Sequence, residues 1–364
     1  MRIKKLDGLR GIFSVMVVLF HYKIFNNSIT PDPLRSGFIV RQSEIFVDFF
    51  FVLSGFVIAY NYSNIPSTTK FMEFMKKRFV RLFPLLLYTS VMFLVLLLSM
   101  DVLKNNFGFF ENSESMSFNV LGIHFLDTIL FLNSTPVLGS GAVINPPSWS
   151  ISSEMISYFI FGLVTLLCSS FFRRIMNVLI VISSFIFLFY LDDYFTNGEF
   201  GFVRGLLCFH MGFFVYNFSK VPMKLPKVLE PFCLLILIVI MFAINHFETT
   251  QYYNYVALFS LPLFFGAFIL VFLKTDGFIS KVLENQFFQF LGKVSYSIYL
   301  NHLLVLIVVP KLFFKVLKIE QNALMEYLVY TITLVLVIAY SKLTHQYIEL
   351  KLGKKLKSLL IHNS

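Results

Sequence analysis

Residues 79–100 read FVRLFPLLLYTSVMFLVLLLSM, with a single charge, Arg81. A helix rises about 1.5 Å per residue, so this stretch matches the roughly 30 Å hydrocarbon thickness of a bilayer. Its apolar residues run continuously instead of alternating, which excludes the strand of a membrane barrel. The pattern recurs on both sides. Ten spans are expected, at 8–25, 44–61, 79–100, 149–170, 175–191, 202–218, 231–247, 255–273, 294–313 and 326–344. Composition agrees: of 364 residues, 57% are hydrophobic, 48 are phenylalanine and 14% are charged. A soluble domain of that composition would expose far too much apolar surface. The expected class is an all-α integral membrane protein.

The net charge of +10 fits cytoplasmic loops rich in Lys and Arg better than a nucleic-acid surface. With the N-terminus inside, the inner segments hold Arg2, Lys4, Lys5, Lys76, Lys77, Arg78, Arg173, Arg174 and the tail lysines. The outer ones keep Lys23, Arg35, Arg41, Lys104, Lys311, Lys315 and Lys318. Both termini are therefore expected in the cytoplasm. Residues 1–345 read as the membrane domain and 346–364 as a basic tail, whose LKLGKKLKSLL (350–360) suits the inner leaflet. In the long outer loop 101–148, FNVLGIHFLDTILFL (118–132) is too interrupted to span and reads as an interfacial or re-entrant helix. Cys168, Cys208 and Cys233 are odd in number with no CxxC pair, so neither a disulfide nor a metal site is expected. The basic opening lacks a small-x-small cleavage site, so the first span is expected to be retained.

Several polar groups interrupt these spans. In LDGLRGIFSVMVVLFHY (6–22), Arg10 and His21 are eleven positions apart. That is about three helical turns, so they share one face, roughly 16 Å apart along the axis. From this helix alone His21 either faces a cavity or snorkels to the outer interface. In KKRFVRLFP (76–84), Arg78 and Arg81 are i, i+3 neighbours. They suit either positive-inside anchoring or, with Arg10, a phosphorylated cytosolic ligand. Asp48 lies about one turn into the second span, and Ser54-Gly55 near its middle, where Ser54 lines a cavity and Gly55 permits close packing. In PPSWSISSE (146–154), Trp149 fits the outer aromatic belt, and Glu154 is an intramembrane carboxylate whose expected partner is His21 or an outer cation. Arg204 and His210 read as mainly structural. Tyr299 and His302 share a face of the ninth span, with His302 either a cavity group or a packing histidine.

In this order the motifs resemble the acyltransferase-3 family of multispanning membrane acyltransferases. Arg10 with His21 resembles its Arg/Lys-x10-His signature, FFVLSG (50–55) its FFxxSG, RFVR (78–81) its RxxR and WSISSE (149–154) its WSxxxE. RGLLCFHMG (204–212) and SYSIYLNH (295–302) resemble looser later motifs, so coverage runs from about residue 5 to 303. Met155 stands where many members carry a second acidic residue, so that carboxylate is not carried over. Some members append a periplasmic SGNH hydrolase-like domain; none is expected after the tenth span, leaving transfer to the membrane part or a partner.

The resemblance implies no permanently bound cofactor. It implies acetyl-CoA as acyl donor, a carbohydrate hydroxyl of a surface polysaccharide or its lipid-linked precursor as acceptor, and the bacterial cytoplasmic membrane as location. Arg10, Arg78 and Arg81 would hold the CoA phosphates, and His21 would act as general base or carry the acyl group. Glu154 would orient His21 or the sugar. Arg10 stands with His21 and Glu154 in the catalytic set, and Ser54, Asp48, Trp149 and His302 are substrate or cavity candidates. Transfer of another acyl group such as succinyl stays open. So do a transporter or flippase, for which no internal repeat is found, and an inactive scaffold, against which every required motif residue is present.

Overall fold

The computed structural model describes residues 3–25, 37–107, 117–138 and 144–361. Arg2 and Arg35, counted in the charge asymmetry, lie outside these residues, as does the side chain of Lys23. Among the described residues ten long helices occur: α1 (Lys4–Phe25), α2 (Phe46–Asn61), α3 (Thr68–Phe107), α4 (Trp149–Leu167) and α5 (Ser170–Leu191), then α6 (Gly201–Ser219), α7 (Leu229–Phe247), α8 (Tyr253–Lys274), α9 (Gln286–Lys311) and α10 (Ala323–Thr344). No strand occurs among the described residues. The protein is an all-α, multi-pass integral membrane protein.

Among the described residues, eight of the helices are long and apolar enough to cross a bilayer. The other two expected spans, α1 and α6, carry more polar groups. Lys4, Lys5, Asp7 and Arg10 open α1, and Arg204 and His210 lie within α6. Both are sheathed by protein, which meets their polar groups in place of lipid: Arg204 is 2% exposed and His210 fully buried. At the rim, α5, α7 and α10 leave most of their apolar surface outside the bundle.

The third span is longer than expected. Residues 68–78 add three helical turns, and Glu73 bridges Lys70 at 2.8 Å and Lys77 at 2.6 Å along one face. Pro84 lies inside this helix without ending it. The piece at 118–132 forms a short helix, Phe118–Ile129, capped by the Ser117 side chain accepting from Val120 N–H. It is too short to span and rests against α3.

Two helix pairs form the centre. α1 lies on α9, where a Cβ on Gly11 would fall 2.6 Å from the Gly292 nitrogen. α2 lies on α6, where one on Gly55 would fall 1.8 Å from the Phe209 carbonyl oxygen. Only glycine permits such backbone approach. These two contacts fix the relative height of Arg10, His21, Ser54 and the side chains of α9.

Candidate active site

A cavity of about 210 Å³ lies between α1, α2, α3, α4 and α9. Arg10, Arg78 and Arg81 all line it, together with Ser54, Glu154, Tyr158 and the apolar Val47, Phe50 and Phe51. The helical spacing of Arg78 and Arg81 turns both into the cavity, and the α1–α9 contact brings Arg10 to it.

The three guanidiniums differ in their company. Arg10 Nη1 lies 3.3 Å from Asp7 Oδ1, and its Nη2 donates to Ser295 Oγ at 3.0 Å. Arg81 sits over the Tyr296 ring, 5.0 Å from its centroid, and pairs with the Glu349 carboxylate. That carboxylate is 4% exposed, and also accepts from Ser297 Oγ at 3.0 Å and lies 2.9 Å from His345 Nδ1. Arg78 has no carboxylate partner among the described residues. It lies against the rings of Tyr62, Phe74 and Tyr158, with Nη2 3.5 Å from Tyr62 Oη. A weakly hydrated guanidinium on aromatic faces, without a resident anion, is equipped to receive one.

Glu154 faces the same cavity. Its Oε1 accepts from Ser54 Oγ at 2.5 Å and from the Tyr158 hydroxyl, and the two hydroxyls are 3.0 Å apart. The expected partners, His21 or an outer cation, are therefore replaced by Ser54 and Tyr158. The i, i+4 step from Glu154 to Tyr158 supplies one of them.

His21 and His302 meet elsewhere. His302 Nε2 is 3.1 Å from His21 Nδ1, and the ring centroids are 4.8 Å apart. His302 Nδ1 lies 2.6 Å from the Tyr299 carbonyl, and His21 Nδ1 lies 3.0 Å from that of Val17. Carbonyl oxygens only accept, so the proton sits on Nδ1 of each ring. His302 Nε2 then accepts from the same His21 Nδ1–H, shared with the Val17 carbonyl, and His21 Nε2 keeps its lone pair. His302 is fully buried. The lining of the arginine cavity includes Tyr299 but neither histidine.

Two further expected cavity residues lie outside it. Asp48 is fully buried and takes a bidentate pair from Arg204, at 2.8 and 2.9 Å. Trp149 is 8% exposed and lies under the same guanidinium, with Tyr194 and Phe195. Trp149 thus packs inside the bundle instead of joining an aromatic belt, because the buried Arg204 needs a ring face as well as a carboxylate. The structural reading of Arg204 fits this clamp.

Glu349, Tyr158, Tyr296 and Ser150 were not singled out by the sequence as site groups. Glu349 left one signal: it is the only acidic residue in 346–364. The helix does not end at the expected domain edge; it continues as a π-helical stretch, His345–Leu352, that carries Glu349 back onto α3.

The family model for the acyltransferase-3 type, described as "Acyltransferase domain", matches residues 3–342. The chain belongs to this family, and is a membrane acyltransferase. It is similar to "Protein 2 in picA locus" of Rhizobium radiobacter, 28% identical over 155 residues, which is 42% of this chain and 76% of that protein. No solved structure matches.

Proposed function

We propose that the protein is an acyl-CoA-dependent O-acyltransferase of the bacterial inner membrane. It moves an acetyl group from cytosolic acetyl-CoA to a hydroxyl of a surface polysaccharide or its lipid-linked precursor. The convergence of Arg10, Arg78 and Arg81 on one cavity carries this reading, with Arg78 holding no carboxylate among the described residues. Such a cluster suits the several phosphates of coenzyme A, approached from the cytoplasmic side with both termini inside. The membership of an acyltransferase family supplies the reaction type.

In this reading the phosphates bind at Arg78, flanked by Arg81 and Arg10, and the thioester reaches toward His21. His21 Nε2 takes the proton of the acceptor hydroxyl, whose oxygen bonds to the thioester carbon. The C–S bond breaks, and the leaving thiolate takes the proton from Nε2, releasing free coenzyme A. His302 holds His21 in the tautomer this requires. Glu154, with Ser54 and Tyr158, supplies a fixed polar group beside the donor path.

Inside-out membrane vesicles from cells making the native surface glycan test the proposal. With acetyl-CoA labelled in its acetyl group, label is expected in the glycan-lipid fraction. His21→Ala at equal abundance is expected to lower the rate about 10²- to 10⁴-fold. Arg78→Ala with Arg81→Ala should raise the KM for acetyl-CoA. An absence of transfer from any acyl-CoA by folded wild-type protein would overturn the reading in favour of transport.

A further inference from the structure

Resting on the acyl-CoA reading above, we propose that Tyr299, tethered to Ser150, is a gate between the arginine cavity and the histidine pair, and sets the acyl group the enzyme accepts. Tyr296, Tyr299 and His302 follow one another along α9 at i, i+3 intervals, each turned about 60° from the last. Tyr296 lies under Arg81, and His302 touches His21. The rise from Tyr296 to His302 is roughly 9 Å. Tyr299 stands midway: its side chain belongs to the cavity lining, while its ring centroid is 6.0 Å from that of His302. A thioester held by phosphates at the arginine end must therefore pass Tyr299 to reach His21.

The backbone at this point is fixed, since the Tyr299 carbonyl accepts from His302 Nδ1 at 2.6 Å. The side chain is 7% exposed and is held at its tip. Its hydroxyl lies 2.9 Å from Ser150 Oγ, which itself lies 3.0 Å from the Pro147 carbonyl. A proton-consistent chain runs from Tyr299 O–H to Ser150 Oγ and from Ser150 O–H to Pro147. Phe50 approaches the ring from α2, with centroids 6.2 Å apart. The hydroxyl contact and the rings of Phe50 and His302 thus set how far the phenol projects across the path. A two-carbon acyl group needs little of that width, and each further methylene needs more.

The measurement is acyl-chain preference in the vesicle assay, using acetyl-, propionyl-, butyryl- and hexanoyl-CoA. The wild type is expected to favour acetyl. Tyr299→Ala should raise the ratio of butyryl to acetyl kcat/KM at least tenfold, and Ser150→Ala, which only releases the tether, severalfold. Ser150→Ala keeps the test readable should Tyr299→Ala fail to fold. If rates fall equally for all donors and the ratio stays at the wild-type value, Tyr299 is a packing residue and the gate is overturned alone. If the wild type uses no acyl-CoA, the functional reading fails and takes the gate with it.

Discussion

Asp48 and Arg204 are both almost wholly buried and bind each other through two N–H···O contacts. Removing one partner of such a pair strands the other charge, at a typical cost of about 3–5 kcal/mol. Asp48→Asn is therefore expected to lower the unfolding free energy by about that amount, read as a lowered denaturation midpoint in detergent. Transfer per folded molecule should keep its wild-type KM for acetyl-CoA, because neither residue lines the arginine cavity. An altered KM at unchanged stability would return Asp48 to the substrate path. The sequence identified Asp48 as an intramembrane carboxylate and left its partner open, since Arg204 lies 156 positions away on another helix. For Arg10, Arg78 and Arg81 the spacing was informative because one or two local faces decide where they point. The clamp and the Ser54–Glu154–Tyr158 cluster depend on how α2 meets α4 and α6, which no local pattern specifies.

The element scale turns on glycine at helix crossings. A methyl on Gly55 would sit inside van der Waals contact with the Phe209 backbone of α6, and backbone cannot turn aside as a side chain can. Gly55→Ala must part α2 from α6, with an overpacking cost of about 1–3 kcal/mol or more. Gly122, in the short helix Phe118–Ile129, meets nothing within 4 Å. There the same change should be neutral or slightly stabilising, by up to about 1 kcal/mol, because alanine is the better helix former. Thermal unfolding of the two purified variants, side by side, checks both signs; equal midpoints would remove the close-approach argument. Helix positions were legible in the sequence because apolar runs of spanning length stand between charge clusters. The extra turns of α3 were not, because Lys70, Lys76 and Lys77 look like a loop until Glu73 is seen to bridge two of them along a helical face.

At the scale of the whole molecule, the chain after α10 belongs to the arginine site. The family match ends at residue 342, yet Glu349 reaches Arg81 from beyond it, held by Ser297 and His345. A basic amphipathic tail on the inner leaflet would contribute surface binding alone. On the proposed acyl-CoA reading, a tail that fixes Arg81 would contribute to donor binding, since a guanidinium with a 39% exposed side chain otherwise samples many rotamers before it meets a phosphate. Ending the chain after Thr344 and changing Glu349→Ala should thus have the same signature, a severalfold rise in KM for acetyl-CoA with kcat less affected. Replacing Lys354, Lys355 and Lys357 with alanine removes positive charge near the leaflet while leaving Glu349 in place, and should leave that KM unchanged. A fall in KM with Glu349→Ala would mean that the carboxylate competes with the donor's phosphates for Arg81. The arginine pair would then be a site the chain's own end must vacate.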